Sequence, residues 1–269
     1  MIAIRRYLRL MGAFGRYCLV NELAFRGNFI AKILVEVLWL AILLLFYDTI
    51  FSRTTVVADW SKAEYLVFVG CYYALEGIIE TFFLENCSEF SELIRTGELD
   101  FLLLKPIDEQ FLITCRRVDW STAPKIPTGG LIILWGLSQL NKEWDTTTVL
   151  AFALMSVCAI AMAYSFLLVL TSAGVWMVRN QSLMELWWLV TSLMRYPKEI
   201  YDGTWAWLIG RFFTYVLPLL LVINMPAQVL AKALDWKLIG LTLAVTLILL
   251  FGSRKFFLLA LKSYRSASS

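Results

Sequence analysis

The side chains with the clearest chemical potential are two glutamates inside an apolar segment. Glu76 and Glu80 lie near the end of a stretch that begins YLVFVGCYYAL, and their spacing of four residues places them on one face of a helix. Charge inside a membrane is costly, so each carboxylate needs a partner or a function. The pair predicts either a polar gate or substrate contact, or an ion pair with Arg116, Arg117 or an N-terminal arginine. The same need for a partner applies to the other charges within apolar segments, Glu36 and Arg211.

The sequence contains none of the short motifs that act on a nucleotide or hold a catalytic metal. It has no G-x-x-x-x-G-K-[ST] phosphate loop, no G-x-G-x-x-G and no H-E-x-x-H, and it has no histidine. The five cysteines include no C-x-x-C pair, so we interpret them as small apolar side chains. We therefore expect no enzyme activity, no metal site and no cofactor in this chain.

The composition is that of a protein embedded in lipid. Of the 269 residues, 60% are hydrophobic and only 17% are charged, with a mean hydropathy of +0.71. A soluble domain of this length is about half apolar and about a quarter charged. The net charge of +3 and the lack of a basic face argue against a nucleic-acid partner. We predict an all-α, polytopic membrane protein.

The apolar segments predict the number of membrane crossings. Seven can be counted, at about residues 28–51, 63–84, 121–140, 146–178, 182–194, 204–231 and 238–261. If segment 204–231 enters and leaves by one face, the loops on the N-terminal side hold fourteen Lys and Arg residues and the opposite loops hold seven. The positive-inside rule then predicts six transmembrane helices with both termini cytoplasmic.

The segment before the last span is interrupted in a way that an ordinary span is not. A charge, two prolines and a polar amide break its apolar run. Such a backbone must be covered by protein or face a water-filled cavity, because lipid cannot satisfy its freed polar groups. We predict a re-entrant helical hairpin at about residues 204–231, whose characteristic residues are Arg211, Pro218, Asn224 and Pro226.

The N-terminal stretch, residues 1–27, has arginines threaded between apolar side chains at helical spacing. This pattern is typical of an amphipathic helix that lies in the headgroup region and contacts membrane lipid, and it is not that of a cleavable signal peptide. An ordinary cytoplasmic helix is the alternative. We predict that residues 28–269 form a single transmembrane domain.

The longest polar stretch follows the second span, at about residues 86–108. Asn86 can cap a helix, Glu89 lies three residues further on, and Gly97 suits a left-handed helix end. A short helix held between two spans would move with both of them. It could pass force from a soluble partner into the membrane, or it could be an inert capped loop.

Several of these strings resemble a family of bacterial permeases in the type-2 ABC exporter superfamily. The most distinctive is ELIRTGELDFLLLKPI at residues 92–107, and the amphipathic N-terminus also fits. Further matches are RYP at residues 195–197, N-x-P-A at 224–227 and YRSAS at 264–268. The third span, with TAPKIPTGG at 122–130, is less smoothly apolar than this family suggests. The resemblance covers most of the chain.

The resemblance implies a permease subunit in a bacterial inner membrane. Two such subunits, identical or different, would sit over two nucleotide-binding ATPase subunits, which bind the ATP and Mg²⁺. Residues 1–27 would form an elbow helix at the membrane interface, and a re-entrant pair of half-helices would precede the last span. The coupling helix would contact the ATPase through Glu92, Arg95, Gly97, Glu98, Leu99, Asp100, Lys105 and Pro106.

Two other classes of protein fit a polytopic chain without motifs. A secondary transporter would place ion-binding carboxylates near the membrane midplane and usually shows internal repeats, whereas Glu76 and Glu80 lie off-centre and the halves show no convincing repeat. A membrane scaffold without transport activity would have no use for a coupling helix. The sequence does not indicate the transported substrate.

Overall fold

The computed structural model describes residues 2–140, 145–177, 181–203 and 207–264. Within these ranges the chain is a helical bundle, and its sheet is a two-residue hairpin, β1 (Val56–Val57) paired antiparallel with β2 (Trp60–Ser61). The predicted all-α class agrees with this arrangement. Residues 204–206, at the start of the predicted re-entrant hairpin, lie outside the described residues, as do residues 265–268 of the YRSAS string.

The α-helices of the described ranges follow one another closely along the chain. In order they are α1 (Ile2–Ala24), α2 (Arg26–Phe51), α3 (Lys62–Ile79), α4 (Glu85–Thr96), α5 (Glu98–Leu103), α6 (Glu109–Cys115), α7 (Lys125–Gln139), α8 (Thr146–Ala173), α9 (Gln181–Met194), α10 (Trp207–Arg211), α11 (Leu220–Ala231) and α12 (Trp236–Ser263). Among the described residues, four helices are long and apolar enough to cross a membrane, namely α2, Lys62–Thr96, α8 and α12.

The second of these long helices extends further than the sequence suggests. A π-helical turn, Glu80–Leu84, joins α3 to α4, so one helix of 35 residues runs without a break from Lys62 to Thr96. The expected cap at Asn86 is wrong. The Asn86 side chain lies inside the helix, where its amide nitrogen donates to the carbonyls of Phe82 and Arg117 and its oxygen accepts from the Arg117 N–H. Asn86 therefore attaches the loop at Arg117 to this helix and does not begin a new helix.

Two of the expected spans correspond to shorter helices. The third was expected at residues 121–140, but α7 begins only at Lys125, after a turn that contains Pro124. With 15 residues α7 measures about 22 Å, and α9 with 14 is similar. The hydrocarbon core is about 30 Å thick. Each of the two helices is therefore shorter than the hydrocarbon core is thick.

Helices α3 and α7 approach unusually closely because glycines line their contact. A Cβ atom added at Gly129 of α7 would lie 2.5 Å from the Ala74 backbone nitrogen and 2.7 Å from the Gly70 carbonyl oxygen on α3. At Gly136, an added Cβ would lie 3.0 Å from the Ala63 carbonyl oxygen. Small residues that let backbones touch are the usual basis of helix packing in membranes.

The core of the bundle surrounds α11. This short helix is buried over almost its whole length, although it contains Pro226, and it packs against α3 and α8. By contrast, α2 exposes most of its apolar side chains, and only Leu40 and Tyr47 are buried along its 26 residues. Helix α11 is thus shielded by protein, while α2 faces outward.

The loops gather at two ends of the bundle. At one end, Glu199 accepts hydrogen bonds from Trp60 and Gln228, and the Lys232 ammonium group lies 4.3 Å from the centroid of the Trp60 ring. At the other end, Arg254 of α12 donates to Asp108. Because the stretches before α10 and after α11 both contact the Trp60 loop, the intervening segment starts and finishes at the same end.

Candidate functional site

One of two regions with functional potential is a tip that comprises the end of α4 and the stretch leading to α6. We call it the docking segment (residues 92–107). Its sharp turn is made by Gly97, which ends α4 with a φ of 75° as the sequence predicted. No atom lies within 4 Å of the position that a Cβ would take there. Glycine is therefore needed for the left-handed backbone conformation and not for space.

The apolar side chains of the docking segment divide into an inner and an outer set. Leu99 is fully buried in a small core, whose other buried members are Phe90, Leu93, Leu102, Ile113, Leu168 and Phe257. Phe101 and Leu104 point outward, with 70% and 82% of their surface exposed. The structure thus places Leu99 among the residues that hold the tip, and Phe101 and Leu104 on its surface.

The predicted polar contact residues lie mostly on the surface of the same tip. Glu92 accepts from the Arg95 Nε atom at 2.8 Å, and both side chains are exposed. Glu98, Lys105 and Pro106 are exposed as well, whereas Asp100 is half-buried. The Pro106 carbonyl accepts a hydrogen bond from Arg6 of α1, so the N-terminal helix contacts the docking segment directly.

Asp108 connects the docking segment to the spans. Its carboxylate caps α6 by accepting from the Phe111 N–H, and it accepts from the Arg254 guanidinium of α12 at 2.7 Å. The bond from Arg254 holds the pKa of Asp108 below its usual value. Gln110 extends the connection, since it accepts from Arg254 and donates to the Tyr164 hydroxyl of α8. The tip is thus tied to two long helices.

Arg116 and Arg117 do not pair with Glu76 or Glu80, which corrects one of the two interpretations of those glutamates. Arg116 lies 3.0 Å from Glu89. Arg117 lies 2.7 Å from Glu89 and 3.3 Å from Glu85. Both arginines therefore attach the loop after α6 to α4, within the same end of the bundle as the docking segment.

The second region is a buried ion cluster, formed by Glu36, Glu76, Glu80 and Lys125 where α2, α3 and α7 meet. The Lys125 ammonium lies 2.7 Å from Glu80, 3.1 Å from Glu36 and 3.3 Å from Glu76. Only 3% of Lys125 is exposed. The ammonium also lies 5.3 Å from the centroid of the Tyr73 ring, within the range of a cation–π interaction.

The cluster continues toward α9 through Tyr72. The Tyr72 hydroxyl donates to Glu76 at 2.5 Å, so this carboxylate has two partners. The guanidinium carbon of Arg195, in the RYP string, lies 5.9 Å from the Tyr72 ring centroid and 5.4 Å from that of Trp39 on α2. The RYP string therefore lies beside the cluster and not in a remote loop.

Two cavities reach the cluster from different sides. One, of about 200 Å³, has Glu76 and Arg195 in its wall and is otherwise lined mainly by apolar and aromatic side chains, among them Trp39, Phe46 and Tyr73. The other, of about 540 Å³, has Glu36 and Glu80 in its wall. Glu76 can therefore be approached from the first cavity, and Glu36 and Glu80 can be approached from the second.

The four residues of the predicted re-entrant hairpin have different surroundings. Pro218 stands in the break between the π-helical turn Phe212–Val216 and α11, and Pro226 lies inside α11. Asn224 is fully buried, donates to the Leu220 carbonyl and accepts from the Lys198 N–H, which closes the segment onto the preceding loop. Arg211 is exposed and lies 5.2 Å from the Trp207 ring centroid.

Sequence reasoning missed the central residue of the ion cluster. Lys125 was visible only as an irregularity at the start of the third span, although a lone lysine between apolar residues is itself a signal of a buried partner. Phe101 and Leu104 were also missed as surface residues. Their run, FLLL, is apolar throughout, and only the helix phase distinguishes its exposed from its buried members.

A family model described as ABC-2 family transporter protein matches residues 37–268, which is most of the chain. No curated protein and no solved structure matches it. The matched range includes the docking segment, Lys125, Glu76 and Glu80.

Proposed function

Because the chain belongs to the ABC-2 transporter family and is therefore a membrane permease of the ABC type, we propose that it is an exporter subunit driven by a separate nucleotide-binding ATPase. ATP and Mg²⁺ are bound by that partner. The docking segment receives the force of the ATPase, and the spans respond by opening alternately to the two sides of the membrane. The substrate path runs past Glu76 and Glu80.

The observation that carries this proposal is the exposed apolar pair at the tip of the docking segment. Phe101 and Leu104 expose more than two thirds of their surface on a rigid tip, next to the charged side chains of Glu98 and Lys105. Apolar anchors with a polar rim are the usual composition of a protein–protein contact. An inert loop would have no reason to hold two such side chains outward.

The hydrogen bonds behind the tip support its role in coupling. Asp108 and Gln110, directly after the docking segment, bond to Arg254 of α12 and Tyr164 of α8, and Arg6 of α1 bonds to the segment itself. Leu99 packs against Leu168 and Phe257 of the same two long helices. A displacement of the tip must therefore move the spans with it.

The proposed topology has six crossings, with both termini on the cytoplasmic side of a bacterial inner membrane. It is supported by the excess of Lys and Arg on the N-terminal side and by the gathering of loops at two ends. The contacts of Glu199 with Trp60 and Gln228 support a re-entrant hairpin before α12. Residues 1–27 form the interfacial elbow, and residues 28–269 form one transmembrane domain.

A second permease subunit completes the proposed transporter. On α2 the side chains of Leu34, Leu38 and Leu45 are each more than 60% exposed. Part of this apolar face contacts lipid, and the rest is available to a second copy or a related subunit. Two copies would present two docking segments, one for each ATPase.

The proposal is tested at the tip. In the complex of permease and ATPase, the double variant Phe101→Asp/Leu104→Asp should insert and fold normally but should no longer co-purify with the ATPase or stimulate ATP hydrolysis. Its matched control is Leu103→Ala, a smaller change in the same helix, which should keep both properties. Normal co-purification and hydrolysis in the double variant would contradict the docking role, and uphill transport by the permease alone would contradict an ATP-driven exporter.

A further inference from the structure

The buried ion cluster holds more negative than positive charge. Three carboxylates surround one ammonium group, so the formal charge of the four side chains is −2. Arg195 lies beside Tyr72 and lines the same cavity as Glu76, and including its charge still leaves a negative balance. Unneutralised charge within a membrane protein is costly, so binding of a further cation would reduce this cost.

That cation can reach the carboxylates. Glu76 lines one cavity, and Glu36 and Glu80 line the other. In the larger cavity, Asp119 adds a further carboxylate and Lys32 adds one ammonium, and these two lie 3.5 Å apart. The approach to the cluster from this side is therefore not positively charged overall.

The cluster already contains one cation, the ammonium group of Lys125, and its contacts indicate the kind of cation that these side chains bind. The Lys125 ammonium is bound by carboxylate oxygens at 2.7 to 3.3 Å and lies near the Tyr73 ring. Carboxylates beside an aromatic face are the groups that bind an organic ammonium. The smaller cavity adds apolar walls from Leu40 and Leu43, which suit the body of such a molecule.

We propose that the substrate carries a positively charged amine on an apolar body, and that Glu36, Glu76 and Glu80 bind this charge in competition with Lys125. The inference rests on the proposed transport function and adds the chemical class of the substrate. An anionic substrate would be repelled by the three carboxylates. A neutral one would gain nothing from an ammonium site.

The first test measures binding to the purified full chain in lipid nanodiscs, without the ATPase. Three probes with the same chain, octylammonium, octanol and octyl sulfate, are compared by equilibrium dialysis, and empty nanodiscs correct for their partition into lipid. We expect saturable binding of octylammonium only. Saturable binding of all three probes with equal affinity would overturn the proposal.

Variants then locate the site. Glu76→Gln and Glu36→Gln should each weaken octylammonium binding roughly tenfold, because each removes a charged partner of the ammonium group. Asp48→Asn changes an exposed carboxylate on the same helix as Glu36 and should leave the affinity unchanged. An affinity that stays at the wild-type value in both glutamine variants would show that the cluster is only a structural ion pair.

A further variant removes the internal competitor. Lys125→Met/Glu80→Gln deletes one positive and one negative charge, so the formal charge of the cluster is kept and folding is favoured over Lys125→Met alone. It should bind octylammonium roughly tenfold more tightly than Glu80→Gln, which has the same carboxylates but still contains Lys125. Binding equal to or weaker than that of Glu80→Gln would overturn the competition. Since no ATPase is present, these outcomes are independent of the docking test above.

Discussion

The absence of a Cβ atom at Gly129 and Gly136 allows α7 to lie close to α3. Gly129→Ala places a Cβ 2.5 Å from the Ala74 backbone nitrogen, so the two helices must separate. We expect this variant to lose about 1–3 kcal/mol of stability, the range typical of overpacked sites. The measurement is the thermal denaturation midpoint of the purified chain.

The neighbouring glycine gives a matched control. Gly130 lies on the same helix, but a Cβ there would meet no atom within 4 Å. Gly130→Ala should therefore be neutral, or stabilising by up to about 1 kcal/mol through helix propensity. Equal effects at positions 129 and 130 would show that the close approach of α3 and α7 is not what these glycines provide.

How far single residues could be predicted depends on how local their environment is. The left-handed backbone at Gly97 followed from its position after a helical run, and the structure has it. The partner of Glu80 could not be found in this way, because Lys125 lies 45 residues further along the chain. From the sequence, Arg116 and Arg117 are suitable partners of Glu80. Only the packing of α7 on α3 shows that the partner is Lys125.

Among the elements, α6 and α12 are joined by Arg254 of α12, which donates to Asp108 and to Gln110. Asp108→Asn should keep the cap on α6 but lose the ion pair with Arg254, at a cost of about 0.2–1 kcal/mol for a partly exposed pair. Asp108→Ala should lose about 1 kcal/mol more, because the cap goes too. Denaturation midpoints check both, and Glu109→Gln, which leaves cap and pair intact, should match the wild type.

The pH dependence of that pair has a definite sign. Because Arg254 lowers the pKa of Asp108 in the folded chain, the stabilisation is complete above the unfolded value of about 3.9 and is lost as the pH falls through the lower, folded value. The difference between wild type and Asp108→Asn should thus be constant near neutral pH and shrink below about pH 4. A difference that grew with acidity would contradict the ion pair.

The elements themselves were predictable where hydropathy is continuous. The boundaries of α2, α8 and α12 lie close to those expected from the sequence. A helix ending at Gly97 was predicted here, but its continuity with α3 was not, because Asn86 was expected to cap a separate helix. The helix continues through Asn86 and is held by the salt bridges of Glu85 and Glu89. Tertiary contacts here override the local pattern.

For the whole molecule, accessibility to labels tests the proposed topology. In a background without Cys18 and Cys115, single cysteines at Ile200 and Lys237 should react with a membrane-impermeant maleimide from outside intact cells. A cysteine at Thr96 should react only after permeabilisation, because it lies at the opposite end of the bundle. All three replaced side chains are exposed in the structure.

Labelling of positions 200 and 237 from opposite faces would rule out the re-entrant hairpin. Residues 71, 87 and 158 are buried cysteines and can stay in the background without reacting.

The burial of α11 explains why this segment can be so interrupted in a lipid-embedded chain: protein surrounds it on most sides, so its broken backbone does not meet hydrocarbon.

The π-helical turn at Glu80–Leu84 has a mechanical consequence. Each of its hydrogen bonds encloses one residue more than an α-helical bond, which sets the stretch after it out of phase by about 100°. The helix from Lys62 to Thr96, about 52 Å long, therefore consists of two segments that are rotated relative to each other about the helix axis. Glu80 lies where the two segments meet. A torque applied at the Gly97 end would rotate the helix at Glu80, and conversion of the π-helical turn to α-helix would move the Glu80 carboxylate away from Lys125.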